Sequence, residues 1–167
     1  LSRPWALPGT PGLEHRLGGL EKQNFIGTVS YDADNHEQMT HVRADKIKGI
    51  VRDIPPLKIE GPPRGELLVV SWGGSYGTVR TACENLRDRG VEVSNVNFRY
   101  LNPLPTNAGE VLASFRHVLL CERNLGQFRT HLRAKFFLDA RGFNQVRGRP
   151  FTVADVEQAI LRKLEGA

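Results

Sequence analysis

Cysteine and long apolar runs are both scarce in this sequence, and each scarcity excludes a class of protein. Only two cysteines occur, Cys83 and Cys121. Two thiols alone cannot form a tetrathiolate zinc site, hold an iron–sulfur cluster or frame a disulfide scaffold. A reducing, cytoplasmic setting is the default for such a chain. No apolar stretch approaches the roughly twenty residues of a membrane helix, and no basic-then-apolar start suggests a secretory signal. Internal repeats and low-complexity tracts are missing as well. The chain opens on Leu1-Ser2-Arg3-Pro4-Trp5, without an initiator methionine. That start reads as the interior of a longer polypeptide, so a complete active site is not expected.

What is present suits one ordinary domain carrying a long arm. A chain of 167 residues can bury roughly two-thirds of its unfolded surface. A 40 % hydrophobic and 25 % charged composition excludes global disorder and collagen. The net charge of +5 raises the question of nucleic acid. The excess is local, however: Arg123 to Arg149 holds seven basic residues against Asp139, or +6, which leaves −1 for the rest. Without interleaved aromatic platforms, that stretch reads as a solvated or subunit-facing patch, or as a seat for an anionic coenzyme tail. Arg123, Arg129 and Arg133 are its candidate residues.

Residues 1–63 read as an extended arm, a helix and a linker. Pro4, Pro8 and Pro11 remove amide donors from the arm, and nearby glycines allow tight turns. A helix is expected from Asp34, with Glu37 as the second half of a capping box. Met39, Val42, Ile47, Ile50, Val51 and Ile54 would form its apolar face, and Pro55-Pro56 would end it. The linker Ile59-Glu60-Gly61-Pro62-Pro63-Arg64-Gly65 is the expected boundary before a second domain, 64–167.

Beyond the linker, short apolar runs alternate with amphipathic segments. Leu67–Val70, Val91–Phe98 and Val118–Cys121 are expected strands, with a weaker one at Phe143–Val146. Helical faces between them carry Val79, Ala82, Cys83 and Leu86; Val111, Leu112 and Phe115; Leu125, Phe128, Leu132 and Phe136; and Val153, Val156, Ile160 and Leu164. Asn107 with Glu110, Asn124, and Thr152 are the expected caps. This alternation predicts a mostly parallel sheet in a three-layer α/β/α arrangement.

In such a sheet, ligands and partners meet the edge where the strands end. Three loops lie there: Trp72–Gly77, Arg99–Pro105 and Glu122–Asn124. Gly73-Gly74-Ser75-Tyr76-Gly77 is neither a P-loop nor a Gly-x-Gly-x-x-Gly fingerprint, and the second strand does not end on an acid suited to a ribose. Glu122 directly follows a buried run, either as a functional charge or as an ordinary ion pair. The five histidines share no ligand spacing. Cys83 and Cys121 fall on apolar faces and read as small core residues. No self-contained catalytic constellation is found, and two functions stay open on these grounds: a nucleotide- or coenzyme-A-binding Rossmann-like module and a basic nucleic-acid-binding domain.

Longer motifs add a resemblance. Arg3-Pro4-Trp5-Ala6-Leu7-Pro8-Gly9-Thr10-Pro11-Gly12, Gly12-Leu13-Glu14-His15-Arg16 and Gly18-Gly19-Leu20-Glu21-Lys22 line the arm. Asn35-His36-Glu37, Trp72-Gly73-Gly74-Ser75-Tyr76-Gly77, Arg99-Tyr100-Leu101-Asn102-Pro103 and Asn124-Leu125-Gly126-Gln127 follow in order. Together they closely resemble the alpha subunit of 2-oxoacid:ferredoxin oxidoreductases, especially those acting on 2-oxoglutarate, across essentially the whole chain.

The resemblance implies a domain like the C-terminal domain of transketolase. It also implies a thiamine-diphosphate-dependent enzyme that converts a 2-oxoacid and coenzyme A to an acyl-CoA and carbon dioxide while reducing ferredoxin. Magnesium and iron–sulfur clusters belong to that whole enzyme. The implied partners are the rest of the alpha subunit and the beta subunit, with no nucleic acid and no membrane. The family's Tyr-Pro-Ile-Thr-Pro run, its cysteine ligands and its diphosphate–magnesium motif are missing from this sequence, so no catalytic, cofactor-binding or metal residue is carried over. The expectation is a non-catalytic assembly domain, inactive by itself, whose partner-facing edge includes Arg99, Asn102, Glu122 and Asn124.

Overall fold

The computed structural model describes residues 5–166 and divides into two compact units, Leu1–Asp53 and Ile54–Ala167. In the first, Lys22 and Val29 form an antiparallel bridge that closes a small hairpin. Helix α1 (Ala33–Gly49) follows. Its cap is Asp32 and not Asp34: the extended backbone at Asp32 lets its side chain accept from the Asn35 amide at 2.8 Å. Asp34 instead sits in the first turn, where a negative charge meets the positive end of the helix dipole. The expected apolar face of α1 is not buried, since Ile47 and Ile50 are exposed and Asn35 is the helix's one buried residue. A short 3-10 turn, Ile50–Asp53, ends this unit before Pro55.

The second unit is built on a four-stranded parallel sheet: β1 (Gly65–Trp72), β2 (Ser94–Phe98), β3 (Phe115–Glu122) and β4 (Ala140–Asn144), in the order β2-β1-β3-β4. Leu68, Val70, Val118 and Leu120 point to one face, and Leu67, Val69, Leu119 and Cys121 to the other. Helices α3 (Ala108–Ala113) and α4 (Gln127–Phe136) cover the first face. Helices α2 (Tyr76–Asp88) and α5 (Val153–Glu165) cover the second. Both faces being covered explains why β1 and β3 read as unbroken apolar runs.

Several expected boundaries shift. Residues 54–63 belong to the α/β unit: Ile54 is buried, Leu57 and Ile59 pack on the core, and Glu60 pairs with Asn95 on the outer edge of β2. That pairing covers an edge strand that would otherwise expose unpaired amides. Phe115 opens β3 and does not end α3. The weak fourth strand lies earlier than expected because α4 stops at Phe137, whose left-handed backbone (φ 53°) turns the chain directly into β4.

Two of the expected caps work differently. Asn107 stands at the start of α3, yet its side chain accepts from the Leu57 amide at 2.8 Å and donates to the Leu57 carbonyl at 3.0 Å. Asn124 does not cap α4; it accepts from the Gly126 amide at 2.7 Å, and Gly126 is the cap residue at φ 95°. Thr152 and Asp155 form the expected cap of α5 as a full capping box.

Candidate functional site

The connections of this sheet decide where its edge opens. From β1 the chain crosses by α2 over one face, and from β3 it crosses by α4 over the other. The loops after these adjacent strands therefore part, leaving a crevice between Trp72 and Glu122, where ligands of such folds bind. Here the protein fills it. Glu122 is 1 % exposed. One carboxylate oxygen accepts from Trp72 Nε1 at 3.3 Å and from the Phe128 amide at 3.0 Å. The other accepts from the Arg129 amide at 3.0 Å.

The expectation that Glu122 faces a partner is thus corrected. Its charge sits on the positive end of α4, and the left-handed turn at Gly126 brings that helix start back over the strand end. Phe128 seals the crevice from beneath, edge-on to Trp72 and Phe98 at ring separations of 6.4 and 5.1 Å. Neither Trp72 nor Phe128 stood out as a site residue in the sequence. The signal for them was an acid directly before a glycine turn and an apolar helix.

Beside this filled crevice lies an open cleft of about 540 Å³, lined by Trp72, Gly73, Tyr76, Phe98, Arg99 and Leu101 among others. Arg99 is exposed and makes no ion pair among the described residues, and Asn102 is exposed on the same loop. Asn124 is half-buried, holding Gly126 and accepting from Asn144 through its carbonyl. The structure therefore brings Arg99 and Asn102 together on one loop, and holds Asn124 on the loop after β3 beside the buried Glu122. Within the glycine turn, Gly73 needs its glycine, because φ is +58°. Gly74 and Gly77 have no such conformation, and nothing lies within 4 Å of a side chain placed there. Bare backbone at both positions leaves a flat surface next to the cleft.

Behind the cleft, Glu60 accepts from Tyr76 Oη at 2.7 Å and from Asn95 at 2.9 Å, with Arg80 at 3.6 Å. Burial pushes its pKa up, but those hydrogen bonds and the charges of Arg80 and Arg87 outweigh burial and hold it below the ordinary 4.5. A carboxylate held low binds fewer protons folded than unfolded. Its contribution to stability is therefore complete above the ordinary value and is lost as pH falls through the lowered one. In urea unfolding from pH 7 down to about pH 3, the unmodified chain is expected to lose more stability than Glu60→Gln. Parallel curves would refute this.

The expected basic patch is partly tied down. Arg129 is half-buried and lies against Gly126 and Gly142; a side-chain carbon at 142 would stand 2.7 Å from its guanidinium and 2.5 Å from Asn144 Oδ1. Arg133 faces Asp139 at 3.5 Å and the Ala140 carbonyl at 3.4 Å. Arg123 is exposed. The two cysteines are buried in the α2–α5 side of the core, and burial pushes the Cys83 thiol up to about 12 and the Cys121 thiol up as well. Among the described residues, no group of three or more His, Cys, Asp or Glu could hold a metal ion. Among the same described residues, no helix is long and apolar enough to cross a membrane.

Comparison with known proteins gives this architecture relatives. The chain is 43 % identical, over 99 % of its length, to the 2-oxoglutarate oxidoreductase subunit KorA of Mycobacterium tuberculosis, of which it covers 25 %. Among solved structures it resembles the 2-oxoglutarate:ferredoxin oxidoreductase from Magnetococcus marinus with 2-oxoglutarate, coenzyme A and succinyl-CoA bound. The TM-score is 0.85 at 27 % identity, covering 96 % of this chain and 28 % of that one. A split-gene transketolase shares the fold alone, with a TM-score of 0.53 at 18 % identity over 67 % of this chain and 43 % of its own. The chain thus spans about a quarter of the length of the curated relatives it matches. A family model matches residues 65–156, a stretch that runs from the start of β1 into α5 and so takes in the whole sheet, the cleft and the carboxylate that fills the crevice. By that match the chain belongs to the pyruvate:ferredoxin oxidoreductase core domain II family.

Proposed function

We propose that this chain is an assembly domain within the alpha subunit of a thiamine-diphosphate-dependent 2-oxoglutarate:ferredoxin oxidoreductase, and that it supplies no reacting group. On this reading the whole enzyme joins the acyl group of a 2-oxoacid to coenzyme A, releases carbon dioxide and passes the electron pair to ferredoxin. A cytoplasmic location goes with that reaction and with two free thiols. One observation carries the proposal: the anion site of this fold, at the start of α4, is taken by the protein's own Glu122. The same observation weighs against a nucleotide- or coenzyme-A-binding module.

Thiamine diphosphate, magnesium and iron–sulfur clusters do not fit the residues of this chain. The crevice that would take a diphosphate is filled, and the two thiols are buried. The surfaces left facing outward are the bare turn at Gly74 and Gly77, the cleft with Arg99, and Asn102. These form the proposed contact with the cofactor-binding parts of the enzyme. Arg123, Arg129 and Arg133 form a second contact, with a subunit or with the coenzyme A tail.

The test uses the full subunit complex carrying Gly74→Leu with Arg99→Glu. The assembled fraction is expected to fall about tenfold or more, while 2-oxoglutarate- and coenzyme-A-dependent viologen reduction per assembled complex stays unchanged. A fall in activity per complex would place the edge in the chemistry and overturn the reading. Unchanged assembly would overturn it as well. Reversing charge at Arg123 and Arg133 separates the roles of the basic patch: a raised KM for coenzyme A indicates the coenzyme tail, and lost assembly indicates a subunit.

A further inference from the structure

Of the seven basic residues between Arg123 and Arg149, Arg129 is held in place without a partner. Arg133 and Arg141 share Asp139, one on each carboxylate oxygen, at 3.5 and 3.1 Å. Arg129 is half-buried, yet among the described residues its guanidinium makes no ion pair and no hydrogen bond. Only its backbone amide is engaged, on Glu122. Bare backbone surrounds the side chain. Its Nη2 faces Gly126, where an added side-chain carbon would stand 3.2 Å away, and its Nη1 faces Gly142, where one would stand 2.7 Å away. Gly126 has its own reason to be glycine, a left-handed backbone at φ 95°. Gly142 has no such reason: it lies in β4 without a left-handed backbone, and the space its missing side chain leaves is the space the guanidinium occupies.

Folding of the α/β unit does not account for this arrangement. Laying a long side chain across a strand costs conformational entropy, and an arginine without an acceptor recovers none of it through hydrogen bonds within the chain. The result is a planar fork set before any ligand arrives, the form in which arginine grips two oxygens of an oxyanion. The neighbouring acids are spent, Glu122 on the start of α4 and Asp139 on Arg133 and Arg141. The stretch keeps its excess of +6, which suits a dianion better than a single carboxylate.

We propose that Arg129 is the receptor for a phosphoryl group, a phosphate monoester seated on the guanidinium beside Gly142. The inference deepens the second contact of the functional reading above and rests on it, because it names the chemistry that the basic patch takes. One fixed fork reads one phosphate, so the ligand is a phosphorylated small molecule. The coenzyme tail and a free phosphorylated metabolite share that chemistry.

The experiment titrates inorganic phosphate into the full subunit complex at constant ionic strength, by calorimetry. Arg129→Met is expected to abolish the binding heat. Arg129→Lys keeps the charge but lacks the fork, and is expected to weaken binding about tenfold. Gly142→Ala is expected to weaken it as far by displacing the guanidinium; if that variant does not fold, Arg129→Lys carries the test. Arg123→Met leaves binding within about twofold, since an exposed charge adds little. No phosphate heat in the unmodified complex, the same heat in Arg129→Met, or acetate binding as tightly as phosphate would each overturn the inference. With binding established, phosphate that raises the KM for coenzyme A only where Arg129 is present assigns the site to the coenzyme tail, and an unchanged KM assigns it to a free metabolite. A complex that assembles and needs coenzyme A, but gives no Arg129-dependent heat, loses only the inference. A chain that brings no other subunit with it loses the functional reading, and the inference with it.

Discussion

Replacing Glu122 with alanine is expected to cost the α/β unit about 3 kcal/mol. The carboxylate serves three donors that lie away from water: the Phe128 and Arg129 amides and the Trp72 indole. Without it, the start of α4 loses its cap and its counter-charge together, and no water replaces them in a site 1 % exposed. Glu122→Gln keeps one oxygen acceptor and turns an amide nitrogen toward the remaining donor, for a loss of about 1–2 kcal/mol. Urea unfolding of the three proteins measures both values. An alanine variant within about 0.5 kcal/mol of the unmodified chain would mean the carboxylate is dispensable and does not hold the start of α4.

Phe128→Ala is expected to be as damaging, at about 3–5 kcal/mol, and its effect should spread further. The ring is 5 % exposed and lies between Trp72 and Phe98, which form one wall of the open cleft. Removing it leaves a cavity under both residues, and the neighbours relax only in part. Trp72 then loses its edge contact as well as its alignment to Glu122. Its fluorescence should shift to the red in the folded variant, reporting water in the crevice. A variant that loses stability while keeping the original emission would show that the two aromatics are not coupled.

The elements that read clearly in the sequence were those whose signal is local. Leu67–Val70 and Val118–Cys121 are apolar without interruption because helices cover both sides, and the sheet architecture follows from them. The box at Thr152 and Asp155 lies within a single turn. Non-local choices were harder to read. Asn107 looks like a helix cap, yet a segment fifty residues earlier recruits its amide. Asp32 and Asp34 are equally good acids before α1, and only the extended backbone at Asp32 selects between them.

The candidate site divides the same way. The three loops after the strands could be located from the strand ends alone. The direction in which Glu122 points could not, because it depends on how Gly126 returns the chain and where α4 begins.

The carboxylate in the crevice also bears on how this unit responds to its surroundings. A protein whose helix terminus waits for a phosphate or a nucleotide gains stability with the logarithm of that ligand's concentration, by mass action. Here the counter-anion is covalently part of the chain, so its effective concentration never changes. At this helix terminus, folding of the α/β unit is thereby uncoupled from the supply of anionic metabolites.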